Sequence, residues 1–327
     1  MRPPAVTLAP VDLADVPRRL AHLLSGAPSD VPVTFHPVPR APAAAMTAAV
    51  DGSSAKLLDG GSFLVAAYRA AAVLAPPGAT PQPLPGVTRV RVLHEETATR
   101  TVEEVLAALG YAAPLGQRLT PEAALDALRS LEELATARAL VPQLEAGALL
   151  LLDGAVACRP PTLPQALVEA FLQEAADRGV TVAGLCKSTS MTLGGVPALA
   201  HLRRRAYREC PHPTWAVPLP RTQRTLLAHP WAVRLSPAAR HVFRVDVTPH
   251  ASDALPVIAQ VAAACTHPGY AGYPYPLALA HNAAALDERT QEDLTHTVAR
   301  VARDAGVDED AWEAAFHDYH EDLERGL

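Results

Sequence analysis

Lysine is nearly missing from this chain. Of its 28 basic residues only Lys56 and Lys187 are lysines, and the rest are arginine. Cysteine is scarce too: Cys158, Cys186, Cys210 and Cys265 form no Cys-x-x-Cys pair. That argues against a disulfide frame and reads as reduced thiols of a cytoplasmic protein. Cys210 and His212 stand close, but two more ligands at sensible spacing are wanting, so no zinc cluster is expected. No apolar run nears the roughly 18 residues a membrane span requires. The N-terminus, Met1-Arg2-Pro3-Pro4-Ala5-Val6, has no charged segment leading into a long apolar stretch, so no signal peptide is expected. Gly-x-Gly-x-x-Gly turns and Gly-x-Ser-x-Gly elbows are missing as well. Gly184-Leu185-Cys186-Lys187-Ser188-Thr189 falls short of a nucleotide-binding loop, because Cys186 stands where glycine must precede the lysine.

What remains is a chain of 327 residues, 49% apolar, long enough for one large domain or two modest ones. The net charge of −6 speaks against a generally basic nucleic-acid binder. Its distribution does not. Between His201 and Arg244 lie Arg203, Arg204, Arg205, Arg208, Arg221, Arg224, Arg234, Arg240 and Arg244 against the single acid Glu209, a local +8 that suits a phosphate backbone. The same charges would also fit a solvated helix face. The C-terminus is the opposite, an acidic tail containing Asp308, Glu309, Asp310, Glu313, Asp318, Glu321, Asp322 and Glu324.

Hydrophobic patterning gives a mixed α/β chain without internal repeats. Residues 12–24 read as a short amphipathic helix, followed by a proline-rich connection. Strands are expected to about Asp51, at 62–74, at 88–94, at 148–152 and at 180–186, with a hairpin at 230–236 and 241–248. Helices are expected at 101–109, from Thr120-Pro121-Glu122 to about Val141, at 163–177, at 196–209, at 253–265 and as one rod at 275–304. Thr120 and Pro121 make a good helix start, a capping hydroxyl before proline in the first turn.

Two apolar runs end in Asp-Gly: Ala48-Ala49-Val50-Asp51-Gly52 and Leu149-Leu150-Leu151-Leu152-Asp153-Gly154. Each reads as a strand whose glycine turns the chain away, leaving a carboxylate at the strand tip; Asp-Gly is equally an ordinary turn pair. Paired carboxylates from separate elements suit divalent metal and two-metal-ion phosphodiester hydrolysis. A third ligand is sought on the helix before the second strand, where Glu132 and Glu133 are adjacent and spacing cannot choose. A fourth is His281, after Tyr273-Pro274-Tyr275-Pro276. Lys56 and Lys187 both fall just after an expected strand end.

The order Val50-Asp51-Gly52-Ser53, Glu133, Leu152-Asp153-Gly154, Gly184-Leu185-Cys186-Lys187-Ser188, Arg234-Leu235-Ser236, Phe243-Arg244-Val245-Asp246 and Gly272-Tyr273-Pro274-Tyr275-Pro276-Leu277 with Ala280-His281 resembles the NurA nuclease family over about residues 45–290. The arginine-rich composition and acidic tail are similar to a deinococcal member. The resemblance implies an RNase H-like α/β core, a mixed central sheet flanked by helices. It implies an N-terminal helix and arm (1–45), a nuclease domain (46–290) and a C-terminal helix with an acidic tail (291–327). It implies manganese, with magnesium as the alternative, and Asp51, Glu133 and Asp153 as ligands, Glu132 being the fallback, with His281 either a ligand or a group acting at the scissile phosphate. Lys187 would stabilise phosphate charge, and Arg203, Arg204, Arg205, Arg208, Arg221 and Arg224 would bind DNA. It further implies 5′→3′ exonuclease action on single- and double-stranded DNA and endonuclease action on single strands. The setting would be a nucleoid-associated homodimer working with HerA, a hexameric translocase, in DNA-end resection. Ala155 and Cys186 stand where many members have serine. Two other readings are weighed beside this one: a non-catalytic DNA-binding subunit of a translocase, and an RNase H-like hydrolase of RNA.

Overall fold

The computed structural model describes residues 16–25, 31–84, 86–265 and 267–316. The chain opens with α1 (Val16–Ser25) and a two-residue strand, β1 (His36–Pro37). A long hairpin follows, β2 (Thr47–Asp59) and β3 (Phe63–Ala75), then β4 (Gln82–Leu84) and β5 (Arg89–His94). Helices α2 (Ala98–Ala108) and α3 (Pro121–Leu140) lead to β6 (Leu149–Asp153), α4 (Gln165–Asp177) and β7 (Thr181–Cys186). The short strands β8 (Thr192–Leu193) and β9 (Val196–Pro197) precede α5 (Ala198–Glu209). Next come β10 (Trp215–Pro218), β11 (His229–Arg234) and β12 (Phe243–Val247). Four helices end the described chain: α6 (Ala254–Ala263), α7 (Tyr275–Ala284), α8 (Glu288–Asp304) and α9 (Glu309–Phe316). The expected helical residues 12–15 and the acidic tail beyond 316 lie outside the described residues. No described helix is long and apolar enough to cross a membrane.

One ten-stranded sheet organises the molecule, in the order β1-β10-β11-β12-β7-β6-β2-β3-β4, with β5 also paired to β3. Among the described strands only the pairs β2–β6 and β6–β7 are parallel. Their side chains alternate between two cores, as strand geometry requires. Ala48, Val50 and Leu150 join α2, α3 and α4 on one face. Ala49, Leu149 and Leu151 join α6 and α7 on the other. A third cluster seats α5 against Trp215 and Val217 of β10. The arm expected at 1–45 contributes β1, paired with β10 at the sheet edge.

Helix starts follow the local chemistry. Thr120 accepts a hydrogen bond from the Ala123 N–H at 3.2 Å, and Pro121 occupies the first turn. The expected rod at 275–304 breaks instead into α7 and α8. Arg69 of β3 donates to the terminal carbonyls of Ala284 (2.9 Å) and Ala285, and Asp287 caps α8 by accepting from the Thr290 N–H at 2.9 Å. Carbonyls that would have continued the helix are thereby satisfied from outside. The expected hairpin at 230–248 forms as β11 and β12, antiparallel. β10 has no sequence-level signature, since four residues are too few to show alternation.

The Asp51-Gly52 turn does not exist. β2 runs straight through it to Asp59, pairing Asp51 with Ala71 and Gly52 with Ala70 of β3. Lys56 is therefore inside a strand, facing Glu122 at 3.2 Å. Gly154 is the true turn glycine, with φ of 118°. Gly184 is needed for another reason: a Cβ there would come 2.4 Å from the Gly154 carbonyl oxygen and 3.0 Å from Val156. Replacing Gly184 by valine is expected to cost about 1–3 kcal/mol from overpacking beneath the Asp153 loop, measured as a lower urea midpoint at unchanged slope.

Candidate metal centre

The register of two parallel strands makes the centre. Val50 of β2 lies beside Leu152 of β6, so the next residues, Asp51 and Asp153, are neighbours on the same face of the sheet. Helix α7 crosses that face and brings His281 down onto it. One donor atom each from Asp51, Asp153 and His281 lies within 4.8 Å of the others. His281 Nδ1 is 2.6 Å from Asp51 Oδ2, and the Gly52 N–H donates to Asp51 Oδ1 at 2.7 Å. Asp51 is 7% exposed. Burial raises its carboxyl above the ordinary value and the charge of Asp153 adds to this, while His281 and Gly52 oppose it. Two carboxylates held this close can share a proton, take up neighbouring positive groups or accept a cation between them.

Two further groups converge on Asp153. Lys187 follows β7 directly and places its Nζ 2.5 Å from Asp153 Oδ2. The Tyr273 hydroxyl donates to the same oxygen at 3.5 Å. Burial pushes the Tyr273 phenol above its ordinary value, and the charges of Asp153 and Asp51 push the same way. Lys187 also stands 5.5 Å from the centre of the Tyr273 ring. Sequence reasoning overlooked Tyr273 as a member of the site. Its only signal was a tyrosine locked between Gly272 and Pro274 on the segment that introduces His281.

Glu133 approaches from the opposite face. Strand residues 51 and 52 point opposite ways, and a Cβ on Gly52 would sit 2.5 Å from the Glu133 carboxyl. Gly52 is thus a clearance for Glu133, not a turn. Glu133 is paired with Arg129 at 2.5 Å. Glu133 and Asp153 line one cavity of about 80 Å³ with Arg129 and Arg159, but Glu133 is not among the three residues whose donor atoms converge within 4.8 Å. Glu132 turns away and pairs with Arg89 at 2.9 Å. The geometry therefore separates the two adjacent glutamates, which spacing could not do.

The loops that carry Asp153 and Lys187 are tied together from beneath. Arg244 donates two parallel bonds to Asp246, at 2.8 and 2.7 Å, in a fully buried pair. Asp246 accepts from the Val156 N–H at 3.1 Å, and Arg244 donates to Thr189 at 3.0 Å. Removing one member would strand the other charge, a change worth about 3–5 kcal/mol.

The arginine-rich segment divides into groups. Arg203, Arg204 and Arg208 of α5 line a cleft with Arg234 and Arg240. Arg205 is turned inward to Glu209 at 2.6 Å and to the Val31 carbonyl. Arg221 and Arg224 lie on the exposed connection between β10 and β11, outside that cleft. Lys56, which also drew notice in the sequence, belongs to the outer part of β2 and takes no part in the centre.

Burial pushes the Glu133 carboxyl up to about 7, with Arg129 pulling down and the charge of Asp51 pushing up. Folded, this group keeps its proton to near neutrality; unfolded, it releases it near 4.5. Stability therefore falls as pH rises between those values. Glu133→Gln is expected to stabilise the metal-free protein by about 1–3 kcal/mol at pH 8 and to make no difference below pH 4. Denaturant melts across that range measure it. Gly52→Ala should lower stability in the melt by about 1–3 kcal/mol, because the added Cβ collides with the buried Glu133 side chain, and should shift the apparent Glu133 titration, read by NMR of the labelled carboxyl.

No protein-family model matches the sequence, and no curated protein matches it. Solved structures do. The NurA nuclease from Sulfolobus solfataricus superposes with a TM-score of 0.59 over 90% of this chain and 96% of that one, at 14% identity. A second NurA structure superposes at 0.49 over 82% and 91%, with 12% identity. Human endonuclease V gives 0.40 over 86% and 98%, with 15% identity. The chain has the fold of NurA nuclease, an RNase H-like mixed sheet flanked by helices.

Proposed function

We propose that this protein is a divalent-metal-dependent DNA nuclease. The observation that carries the proposal is the meeting of Asp51, Asp153 and His281 within 4.8 Å at one end of the parallel strands. The donor set fits the group. Two carboxylates with one imidazole suit manganese, with magnesium as the alternative. Such a cation, when bound, polarises phosphoryl oxygens and acidifies water.

The chain's own residues supply the remainder. Asp51 and Asp153 would hold the ion, with His281 beside them and Glu133 reaching in through the small cavity. Tyr273 keeps its proton at neutral pH and so orients Asp153 as a donor. Lys187, exchanging Asp153 for substrate, would meet the charge that builds on the phosphate. The finer reading follows the family resemblance: 5′→3′ exonuclease action on single- and double-stranded DNA, endonuclease action on single strands, two-metal-ion chemistry, a homodimer, and a HerA-type hexameric translocase as partner in end resection and recombination repair.

The test is digestion of end-labelled DNA with Mn²⁺. Asp51→Ala and Asp153→Ala should each lose more than the roughly 10–100-fold that removing an outer partner of a metal ligand costs. Undiminished cutting by either folded variant sinks the site assignment. Wild-type protein that binds DNA yet never cuts it would instead be a non-catalytic translocase subunit. Preference for a matched RNA strand would make it an RNA hydrolase. Calorimetric Mn²⁺ titrations should show affinity rising from pH 6 to pH 8, and Glu133→Gln should flatten that rise, because the ligand must be deprotonated.

A further inference from the structure

The edge of the sheet that bears the carboxylates bears a second concave feature. Asp153 is level with Leu185 on β7, Cys186 with Arg244 on β12, Phe243 with Val233 on β11, and Arg234 with Trp215 on β10. All these residues lie at one end of the sheet. Beyond the last of them, between α5 and the strand ends, opens a cleft of about 850 Å³. Arg203, Arg204, Arg208, Arg234 and Arg240 line it, together with His212 and His241, and no carboxylate does. Arg203, Arg208 and Arg240 are exposed and have no hydrogen-bond or ion-pair partner among the described residues. Tyr207 lines the same cleft and is 94% exposed.

The interval between cleft and carboxylates is also grooved. A trough of about 410 Å³ lined by Asp153, Lys187, Ser188, Thr189 and Arg244 fills it. From β6 to β11 is three strand spacings and to β10 four, roughly 14–19 Å at about 4.8 Å each. A stacked nucleic-acid strand places a phosphate every 3.4 Å or so, which makes the interval about four to six nucleotides.

We propose that the arginine cleft is a remote subsite for single-stranded DNA, gripping backbone phosphates about four to six nucleotides from the one that is cut. This rests on the nuclease reading above and adds a length requirement to it. Unpaired arginines in a cleft without acids suit phosphates, and their charge is not spent on the protein's own carboxylates. An aromatic ring standing free at such a cleft suits an unpaired base, whose face is available only in a single strand.

Two measurements decide it. The first is anisotropy of a fluorescein-labelled 12-nucleotide oligothymidylate in EDTA between 50 and 300 mM KCl. Wild type should show a steep log-log salt dependence. The triple variant Arg203→Gln, Arg208→Gln, Arg240→Gln should lose about 2 units of slope, at about 0.7 per phosphate on a single strand. The corresponding triple lysine variant should keep the slope, which separates lost charge from lost fold. The second is kcat/KM with Mn²⁺ on 3- and 9-nucleotide strands. Wild type should gain at least tenfold with length, through KM, and the glutamine variant should lose that gain. A glutamine variant that keeps both the slope and the length gain overturns the proposal. A 12-base-pair duplex that binds as tightly as the single strand, with the same loss of slope, overturns the single-strand assignment. If wild type never cuts yet the slope difference holds, the cleft stands and the nuclease reading falls.

Discussion

The repulsion between two carboxylates is the constraint on which this structure turns. Parallel pairing of β2 with β6 puts Asp51 beside Asp153, and each strand is held along both edges, β2 by β3 and β6, β6 by β2 and β7. Much else at that end of the sheet can be understood as compensation. His281 Nδ1 is hydrogen-bonded to one carboxylate and the Lys187 ammonium is paired with the other, at 2.6 and 2.5 Å. Tyr273 gives a neutral donor to Asp153. The cluster is thus held by hydrogen bonds and one ion pair from the elements around it.

Holding these groups in place falls to residues that are not themselves among the converging donors. Arg69 stops α7 one turn beyond His281 and so fixes where that helix lies over β2. The Arg244–Asp246 pair joins the loop after β6 to the loop after β7. Gly184 and Gly52 act by what they leave out, one making room for the Asp153 loop and the other for Glu133. Such supports are worth more to a site than their own contacts suggest, since a displaced ligand costs affinity even when the fold survives.

How much of this was legible in the sequence depends on the range of the interaction. Thr120-Pro121 announces α3 because capping is local, and Leu149–Asp153 announces a buried strand because its apolar run is continuous. The pairing of Asp51 with Asp153 was read from two Asp-Gly pairs and from a family resemblance, yet the first glycine was misread. The stretch Gly52-Ser53-Ser54-Ala55-Lys56 has no strand-like pattern; it is extended because β3 pairs with it residue by residue, from Ala70 opposite Gly52 to Ala66 opposite Lys56. Glu132 and Glu133 are indistinguishable in sequence, being adjacent on one helix. Only Arg89 beside one and Gly52 beside the other separate them. Tyr273 was invisible as a site residue since no spacing rule ties a tyrosine to a carboxylate 120 residues away.

The length of β2 has a consequence for access. β6 ends at Asp153, whereas β2 and β3 go on together past Asp51 for eight more residues, roughly 25 Å of extended chain. The rim of the sheet is thus stepped: a tall wall stands on the β2 side of the carboxylates, and low ground runs away over β7 and β12. A flexible polymer threaded past the cluster meets a barrier in one direction and a grooved floor in the other. The two flanks of the cluster are therefore unequal, and that asymmetry is a property of the sheet's outline before any single side chain is considered.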